Sequence, residues 1–441
     1  MQENLNEKYA AVLKNLSIAD FNAMQKSVIE RSTEVDNLML LAPTGTGKTL
    51  AYLIPVINTL KNTHQGLQAL IIAPSRELSL QIEEVFRSMK TSFKVSCFYG
   101  GHSMKTEQNS LSDTPAVIIG TPGRLADHVE RHSFDLSSVK IVVLDEFDKS
   151  LQMGFHDQLK IIFKALSGKQ KHLLTSATNP DSLPDFLPFR RIETLNHLQS
   201  DEPIKLSLKL VHTKSTEKVE TLMRLVAGFN DEVCLIFCNH RDAVERISTL
   251  FKMNNFEHGI FHGALEQIDR EKNLIKFRGG AHHVFIATDL AARGLDIPEI
   301  RHVVHYQLPQ SHEAFIHRNG RTARMHAAGE AYLILADDES LPDYIDPSTQ
   351  VIRVNPKLQL PPPPKFVCLY ISAGKKDKIS KGDIAGLLIK KGGLLVDDIG
   401  LITTLDHASY VSVKREGVKK VLSAIKDERL KKMKVKIEIA S

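Results

Sequence analysis

Lys48 and Asp145 are the residues around which chemistry can be assembled in this chain. Lys48 stands in Ala42-Pro-Thr-Gly-Thr-Gly-Lys-Thr49, directly after the apolar run 38–42 and before an apolar segment at 50–60. A glycine-rich turn between a strand and a helix offers backbone N–H groups to phosphate oxygens. The N–H groups of Thr44, Gly45, Thr46, Gly47, Lys48 and Thr49 can form that cradle. Lys48 would add positive charge at the β and γ phosphates, and the Thr49 hydroxyl suits Mg2+. Ala42 stands where the usual pattern has Gly. Asp145-Glu146 closes the apolar run 141–144. Asp145 can hold Mg2+ through water, and Glu146 can activate an attacking water. Paired acids after a strand are by themselves more often a charge pair at a helix start. Downstream of a phosphate loop, the catalytic reading prevails.

A third cluster, His317-Arg-Asn-Gly-Arg-Thr-Ala-Arg324, spaces Arg321 and Arg324 three apart. On a helix they would share a face, and two guanidinium groups can neutralise charge developing on a γ phosphate. The cluster alone leaves open a surface helix with exposed arginines. Seven histidines in 282–326 have no cysteine neighbours, and His302 and His305 on a strand would face opposite sides, which argues against zinc. Cys234 and Cys238 fall on an apolar strand and read as core.

These clusters need elements to position them. Apolar runs of four or five residues recur at 38–42, 69–73, 116–120, 141–144 and 172–175, and again at 233–237 and 284–287, and the pattern continues with Val-Val-His-Tyr-Gln-Leu-Pro at 303–309. Each ends in a polar cluster, and helix-length segments separate them. Such runs read as buried parallel strands, with ligands just beyond their carboxyl ends. Two similar α/β units with their chemistry on one rim follow. At roughly 150 residues per domain, 441 residues make about three domains. We place the first at 1–198 and the second at 199–345, with a proline-rich spacer at 346–364 containing Pro361 to Pro364. The last domain, 365–441, reads βαββαβ, with strands at 366–371, 399–404, 408–413 and 433–439 and helices at 381–390 and 415–426. It holds 17 basic and 9 acidic side chains, a net +8, whereas the preceding 364 residues sum to −3. That asymmetry fits either a polyanion-binding appendage or a solvated lysine-rich surface. With 42% hydrophobic and 25% charged residues, the composition excludes a disordered or fibrous chain. There is no run for a membrane span, no secretory signal and no disulfide framework among four cysteines, so a reducing cytoplasm is expected.

Taken in order, the clusters resemble the motifs of a DEAD-box RNA helicase of superfamily 2, over roughly residues 5–340. The resemblance implies two tandem RecA-like parallel-sheet domains. It implies that Gln25 reads adenine, that 42–49 is motif I, and that DEFD (145–148) is motif II, with Phe147 in place of Ala. Ser176, Thr178 and Asp148 would couple hydrolysis to RNA; Gly294 and Asp296 would join the ATP site; His317, Arg321 and Arg324 would act with Lys48 and Glu146 in catalysis. Pro74, Arg76, Gly101, Thr121, Gly123, Arg124, Asn239, Gln267, Arg270 and Thr288 would grip RNA, mostly along its backbone. Departures include Asn319 and Ala323 where Ile and Gly are usual, and Ile18, Phe21 and Asn22 in the adenine-side motif.

Residues 365–439 resemble the RNA-binding domain of the DbpA subfamily, an α+β module of RRM-like fold. Tyr370 matches its first-strand stacking position, and Lys375, Lys376, Lys378 and Lys381 are its candidate RNA contacts. The resemblance implies an ATP- and Mg2+-dependent RNA helicase acting on large-subunit ribosomal RNA and pre-ribosomal particles, as a monomer and without a membrane partner. An ATP-gated RNA clamp with little unwinding, and a DNA helicase, are the alternatives.

Overall fold

The computed structural model describes all residues except 1–4, 44, 64–65, 102–106, 108–110, 181, 199–205, 290–299, 323–328, 358–359 and 441. Strands β1 (Asn37–Leu41), β2 (Ala69–Ile72), β3 (Val95–Phe98), β4 (Val117–Gly120), β5 (Ile141–Leu144), β6 (Lys171–Ser176) and β7 (Glu193–Asn196) form one sheet in the order β3-β4-β2-β5-β6-β1-β7. Every pairing in it is parallel. Successive residues of a strand face opposite sides of the sheet. Leu38 and Leu40 accordingly join one core, and Met39 and Leu41 the other. Both faces are covered, which is why the central strands β1, β2, β4 and β5 are apolar along nearly their whole length rather than alternating.

Strands β8 (Leu206–Thr213), β9 (Cys234–Cys238), β10 (Gly259–Phe261), β11 (Val284–Thr288), β12 (His302–His305), β13 (Gly329–Ala336) and β14 (Gln350–Val351) repeat that order strand for strand, as β10-β11-β9-β12-β13-β8-β14. The expected similarity of the two α/β units is thus an identity of topology. It also moves a boundary. The stretch 346–364 does not act as a spacer from its start: β14 pairs with β8, Ile352 N–H donates to Leu210, and Ile352 and Val354 pack on the second core. A two-residue strand among prolines leaves no periodic trace in sequence.

The third sheet, in the order β16-β17-β15-β18, comprises β15 (Phe366–Ile371), β16 (Ile399–Thr404), β17 (Ser409–Lys414) and β18 (Ile437–Ile439), paired antiparallel. Val367, Leu369, Ile371, Val411 and Val413 meet the helices Lys381–Lys390 and Val418–Ile425 on one face. The strand expected at 433–439 shortens to β18, and residues 415–417 form a 3-10 turn ahead of the last helix. The opposite face is covered too. Cys368, Tyr410 and Ala440 cluster with Ile275 and Ala281 of the second α/β domain. Arg415 pairs with Glu257 at 2.7 Å and Lys365 with Asp231 at 3.1 Å. Gly279 has no room for a side chain, because a Cβ there would lie 2.0 Å from Ser412 Oγ. No helix among the described residues is long and apolar enough to cross a membrane.

Candidate nucleotide and nucleic-acid sites

The loop after β1 turns into the helix Lys48–Thr59 through Gly45 (φ 88°) and Gly47 (φ 87°), a left-handed conformation that glycine adopts without a Cβ clash. A Cβ on Gly47 would meet Gln25 Nε2 at 2.5 Å. Asn22 and Gln25 build a reciprocal cap on the helix Ala23–Glu34, with Gln25 N–H donating to Asn22 Oδ1 (2.8 Å) and Asn22 N–H to Gln25 Oε1 (3.0 Å). Gln25 Nε2 then donates to Gly47 O at 3.2 Å and Asn22 Nδ2 to Thr46 O at 3.0 Å. One end of the amide expected to read adenine therefore caps its own helix, and the other braces the phosphate loop. Asn22, a departure from the family pattern, serves as that cap, and Phe21 is buried edge-on against Tyr9.

Lys48 is buried, its ammonium donating to Ala42 O at 2.6 Å. Burial lowers its pKa, while Glu146 and Asp145 act in the opposite sense. Asp145, at the end of β5, accepts from Tyr52 Oη at 2.9 Å and from Thr175 Oγ1 at 2.5 Å. Burial and the neighbouring Glu146 raise its pKa, against the hydroxyl bonds and Lys48. Glu146 takes φ 48° and ψ 50°, a conformation rarely held by a non-glycine residue away from functional sites. Its N–H donates to Asp145 Oδ1 and Thr175 Oγ1, both at 3.0 Å, and its carboxylate pairs with the fully buried Lys149 at 2.8 Å. Asp148 accepts from Thr178 Oγ1 at 3.0 Å, and Ser176 Oγ receives the Thr178 N–H at 3.1 Å, so motifs II and III are linked side chain to side chain. Phe147, where the family has alanine, fills the core with Leu144, Leu159, Ile162 and Leu174. Thr49 and Asp145 offer hard oxygen donors that fit Mg2+. Thr44 lies outside the described residues.

The carboxyl ends of β2 and β4 carry the expected nucleic-acid contacts of the first domain. Pro74 is buried; the Arg76 guanidinium lies 4.3 Å from the Tyr99 ring centroid, close to Gly101. Thr121 and exposed Gly123 lie at the start of the helix Pro122–Glu130. Arg124 is anchored, its Nε donating to the buried Glu107 at 2.7 Å, which also meets His128 at 2.8 Å.

In the second domain Arg318 is 1% exposed. It donates to both oxygens of Asp289 (2.5 and 2.6 Å), to Asn239 Oδ1 (2.6 Å) and to Gln307 O (2.7 Å). Asn239, expected on RNA, thus belongs to a clasp that joins the ends of β9, β11 and β12 to the helix His312–Asn319. That helix ends at Asn319, with Gly320 as its cap. The expectation that Arg321 and Arg324 share a helical face is therefore corrected. Arg321 is buried in the turn beyond the helix, Thr322 bridges to Ile300, and Arg324, Gly294 and Asp296 lie outside the described residues. His317 and Thr288 are buried; Gln267 and Arg270 are half-buried on the first turn of the helix Gln267–Arg278. Asn319 has a specific partner, accepting from His305 Nε2 at 3.0 Å. His302 faces the other way, stacked on Phe229 and bonded to Glu232.

On the C-terminal module Lys375, Lys376, Lys378 and Lys381 are all exposed, on the turn Lys375–Asp377 and the start of the helix that follows. Tyr370 stands half-buried on the covered sheet face, edge-on to Tyr410 and packed against the cluster shared with Ile275. Sequence reasoning missed Tyr52, Thr175, Lys149, Arg318 and Glu107. Only two left a signal: Tyr52 lies one helical turn beyond Thr49, and Arg318 lies inside the motif containing Arg321.

Three family models match the chain: DEAD/DEAH box helicase over residues 22–186, helicase conserved C-terminal domain over 217–326, and DbpA RNA binding domain over 368–439. The ATP-dependent RNA helicase DbpA of Bacillus subtilis (strain 168) is 29% identical, over 97% of this chain and 96% of its own length. The DEAD-box ATP-dependent RNA helicase RhpA of Helicobacter pylori (strain ATCC 700392 / 26695) is 35% identical, over 74% of this chain and 68% of its own. Among solved structures, S. cerevisiae Dbp5 bound to RNA and ADP BeF3 matches with a TM-score of 0.68 at 26% identity, over 76% of this chain and 90% of that one. The DEAD-box helicase Mss116 bound to ssRNA and UDP-BeF matches with a TM-score of 0.70 at 26% identity, over 80% and 78%.

Proposed function

Because the chain belongs to the DEAD-box ATP-dependent RNA helicases and carries a DbpA-type RNA-binding domain, we propose that it couples Mg2+-dependent ATP hydrolysis to local remodelling of large-subunit ribosomal RNA. It would do so as a cytoplasmic monomer working on pre-ribosomal particles. The loop at 42–49 binds the phosphates, Thr49 and Asp145 hold Mg2+, and Glu146 accepts a proton from the attacking water. Bound Mg2+ supplies charge neutralisation on the phosphate oxygens. Asp148, Ser176 and Thr178 carry the hydrolytic state to the RNA-facing loops, and Arg321 and Arg324 add positive charge at the γ phosphate. The observation that carries the ribosomal address is the last domain, matched as a DbpA RNA-binding module, with its net +8 and four exposed lysines grouped at one helix start.

The test is a steady-state ATPase titration of the full chain with a generic single strand and with large-subunit ribosomal RNA. Glu146→Gln is expected to lower RNA-stimulated turnover by roughly 100-fold or more, the scale of a lost general base. Changing Lys375, Lys376, Lys378 and Lys381 together to Glu is expected to raise the half-stimulating concentration of ribosomal RNA while leaving that of the generic strand unchanged. Equal stimulation by both RNAs in the unaltered chain would remove the ribosomal assignment and leave the ATPase. Substitution is preferable to truncation at residue 364, which would uncover Ile275 and Ala281.

A further inference from the structure

Asp145 is buried, yet both of its oxygens receive hydrogen bonds from neutral hydroxyls, Tyr52 Oη on Oδ2 and Thr175 Oγ1 on Oδ1. Oδ1 also accepts the Glu146 N–H; with about two acceptor positions on each carboxylate oxygen, Oδ2 keeps one for a further donor such as a metal-bound water. Tyr52 follows Thr49 by three residues on one helix, which places both on the same face. Thr175 in turn accepts the Glu146 N–H. A chain of hydrogen bonds results, from Tyr52 to Asp145 to Thr175 and on to the backbone of Glu146, and it starts on the helix face that carries Thr49. It spans the phosphate-loop helix, the end of β5 and the end of β6.

Donor chemistry gives this chain its meaning. A lysine or arginine at Asp145 would orient the carboxylate but cancel its charge. A hydroxyl orients it and leaves the charge in place. Resting on the ATP-hydrolysing reading above, we infer that Tyr52 and Thr175 are positioning residues for Mg2+: they lock its two protein donors, Thr49 and Asp145, in register with each other and with Glu146. Both act through Asp145. Tyr52 belongs to the apolar core of its domain and Thr175 is buried, so Phe and Val keep the bulk while removing the two hydroxyls.

The experiment uses the full chain with Tyr52→Phe, Thr175→Val and the double variant, and Thr175→Ser as the rescue. Binding of a fluorescent N-methylanthraniloyl-ADP is titrated with Mg2+ and repeated in EDTA. Each hydroxyl removed is expected to raise the half-saturating Mg2+ concentration roughly 10-fold, the size of one hydrogen bond to a charged group. Thr175→Ser is expected to stay within about twofold of wild type, since it keeps the donor. Affinity in EDTA is expected to stay constant across the set. Because the two hydroxyls share one carboxylate, the double variant is expected to depart from the product of the single effects. High Mg2+ is expected to restore most of the lost turnover. A structural role alone would weaken binding equally with and without Mg2+ and resist rescue, which overturns the inference, as does an unchanged Mg2+ requirement in Tyr52→Phe and Thr175→Val. Absence of nucleotide binding by the unaltered chain, with or without Mg2+, overturns the ATPase reading itself and is a separate result.

Discussion

Two buried charges stand in the two topologically identical sheet domains, and they are handled in opposite ways. Asp145, beyond β5, is held by the neutral hydroxyls of Tyr52 and Thr175, while burial raises its pKa and Lys48 opposes that shift. Arg318, beside the equivalent strand β12, is matched by the carboxylate of Asp289 and by two further acceptors. A buried acid held by neutral hydroxyls is a reserve of attraction for something that arrives later, and folding bears its desolvation. A buried charge matched at every donor is a fastening. The same architecture thus carries a hydroxyl-held acid in one copy and a structural clasp in the other.

The largest effects should come from neutralising each charge in turn. Asp145→Asn keeps the shape and the hydroxyl partners, so RNA-stimulated ATPase is expected to fall by roughly 100-fold or more. Its stability is expected to hold or rise by about 1 kcal/mol, because an uncompensated carboxylate leaves the interior. Arg318→Ala should behave in reverse, lowering stability by about 3 kcal/mol through the stranded Asp289. Asp289 retains 28% side-chain exposure, which keeps the figure at the lower end of the range for broken buried pairs. Thermal melts of both variants decide the matter: if Asp145→Asn melts as far below wild type as Arg318→Ala, the distinction between reserve and fastening collapses.

Acid should separate the two domains next. Burial lowers the imidazole pKa of His305 to about 3, of His282 to about 3 and of His258 to about 4, all in the second domain. In the first domain His172 is lowered to about 4. Above the ordinary value near 6.5 both folded and unfolded chains hold these rings neutral. Below it the unfolded chain takes up the proton and the folded chain does not. Stability is therefore full above about pH 6.5 and declines as pH falls toward the folded values. At pH 5 each such histidine accounts for at most about 2 kcal/mol of lost stability. Hydrogen exchange followed by mass spectrometry from pH 7 to pH 5 is expected to show faster exchange in β9, β11 and β12 before β1, β5 and β6. The reverse order would mean that other groups govern the acid response.

The positions of β1, β2, β4 and β5 were legible because both faces of the parallel sheet are covered, so each shows as an apolar run, whereas β3, with Ser96 inside it, and β10 and β13 of the second sheet were not read from the sequence. The loop at 42–49 and the acids after β5 were legible because their residue types and order are local. What escaped notice depends on meetings across the chain. Tyr52 reaches Asp145 over 93 positions and Thr175 reaches it over 30. Asn239 meets Arg318 over 79, so a residue read from its motif as an RNA contact turns out to hold a clasp. The extent of the helix His312–Asn319 depended on Gly320, and the covered face of the last domain on Gly279, whose lack of a side chain matters only once Ser412 lies against it.

The smallest effect tests how far the fastening in the second domain extends. Asn319 Oδ1 accepts the Nε2 proton of His305, which leaves Nδ1 with its lone pair toward Arg318 Nη1, 3.5 Å away. The amide thereby selects the tautomer that a neighbouring cation tolerates, and it does so with a residue where the family usually places an apolar one. Asn319→Ala removes that acceptor and is expected to cost about 1 kcal/mol, the net worth of one buried neutral hydrogen bond. Run as a cycle with His305→Ala, the two changes are expected to couple by a similar amount. A coupling near zero would show that Asn319 is carried passively and that the clasp ends at Arg318; a coupling that vanishes only when Arg318 is also changed would make the three side chains one cooperative unit.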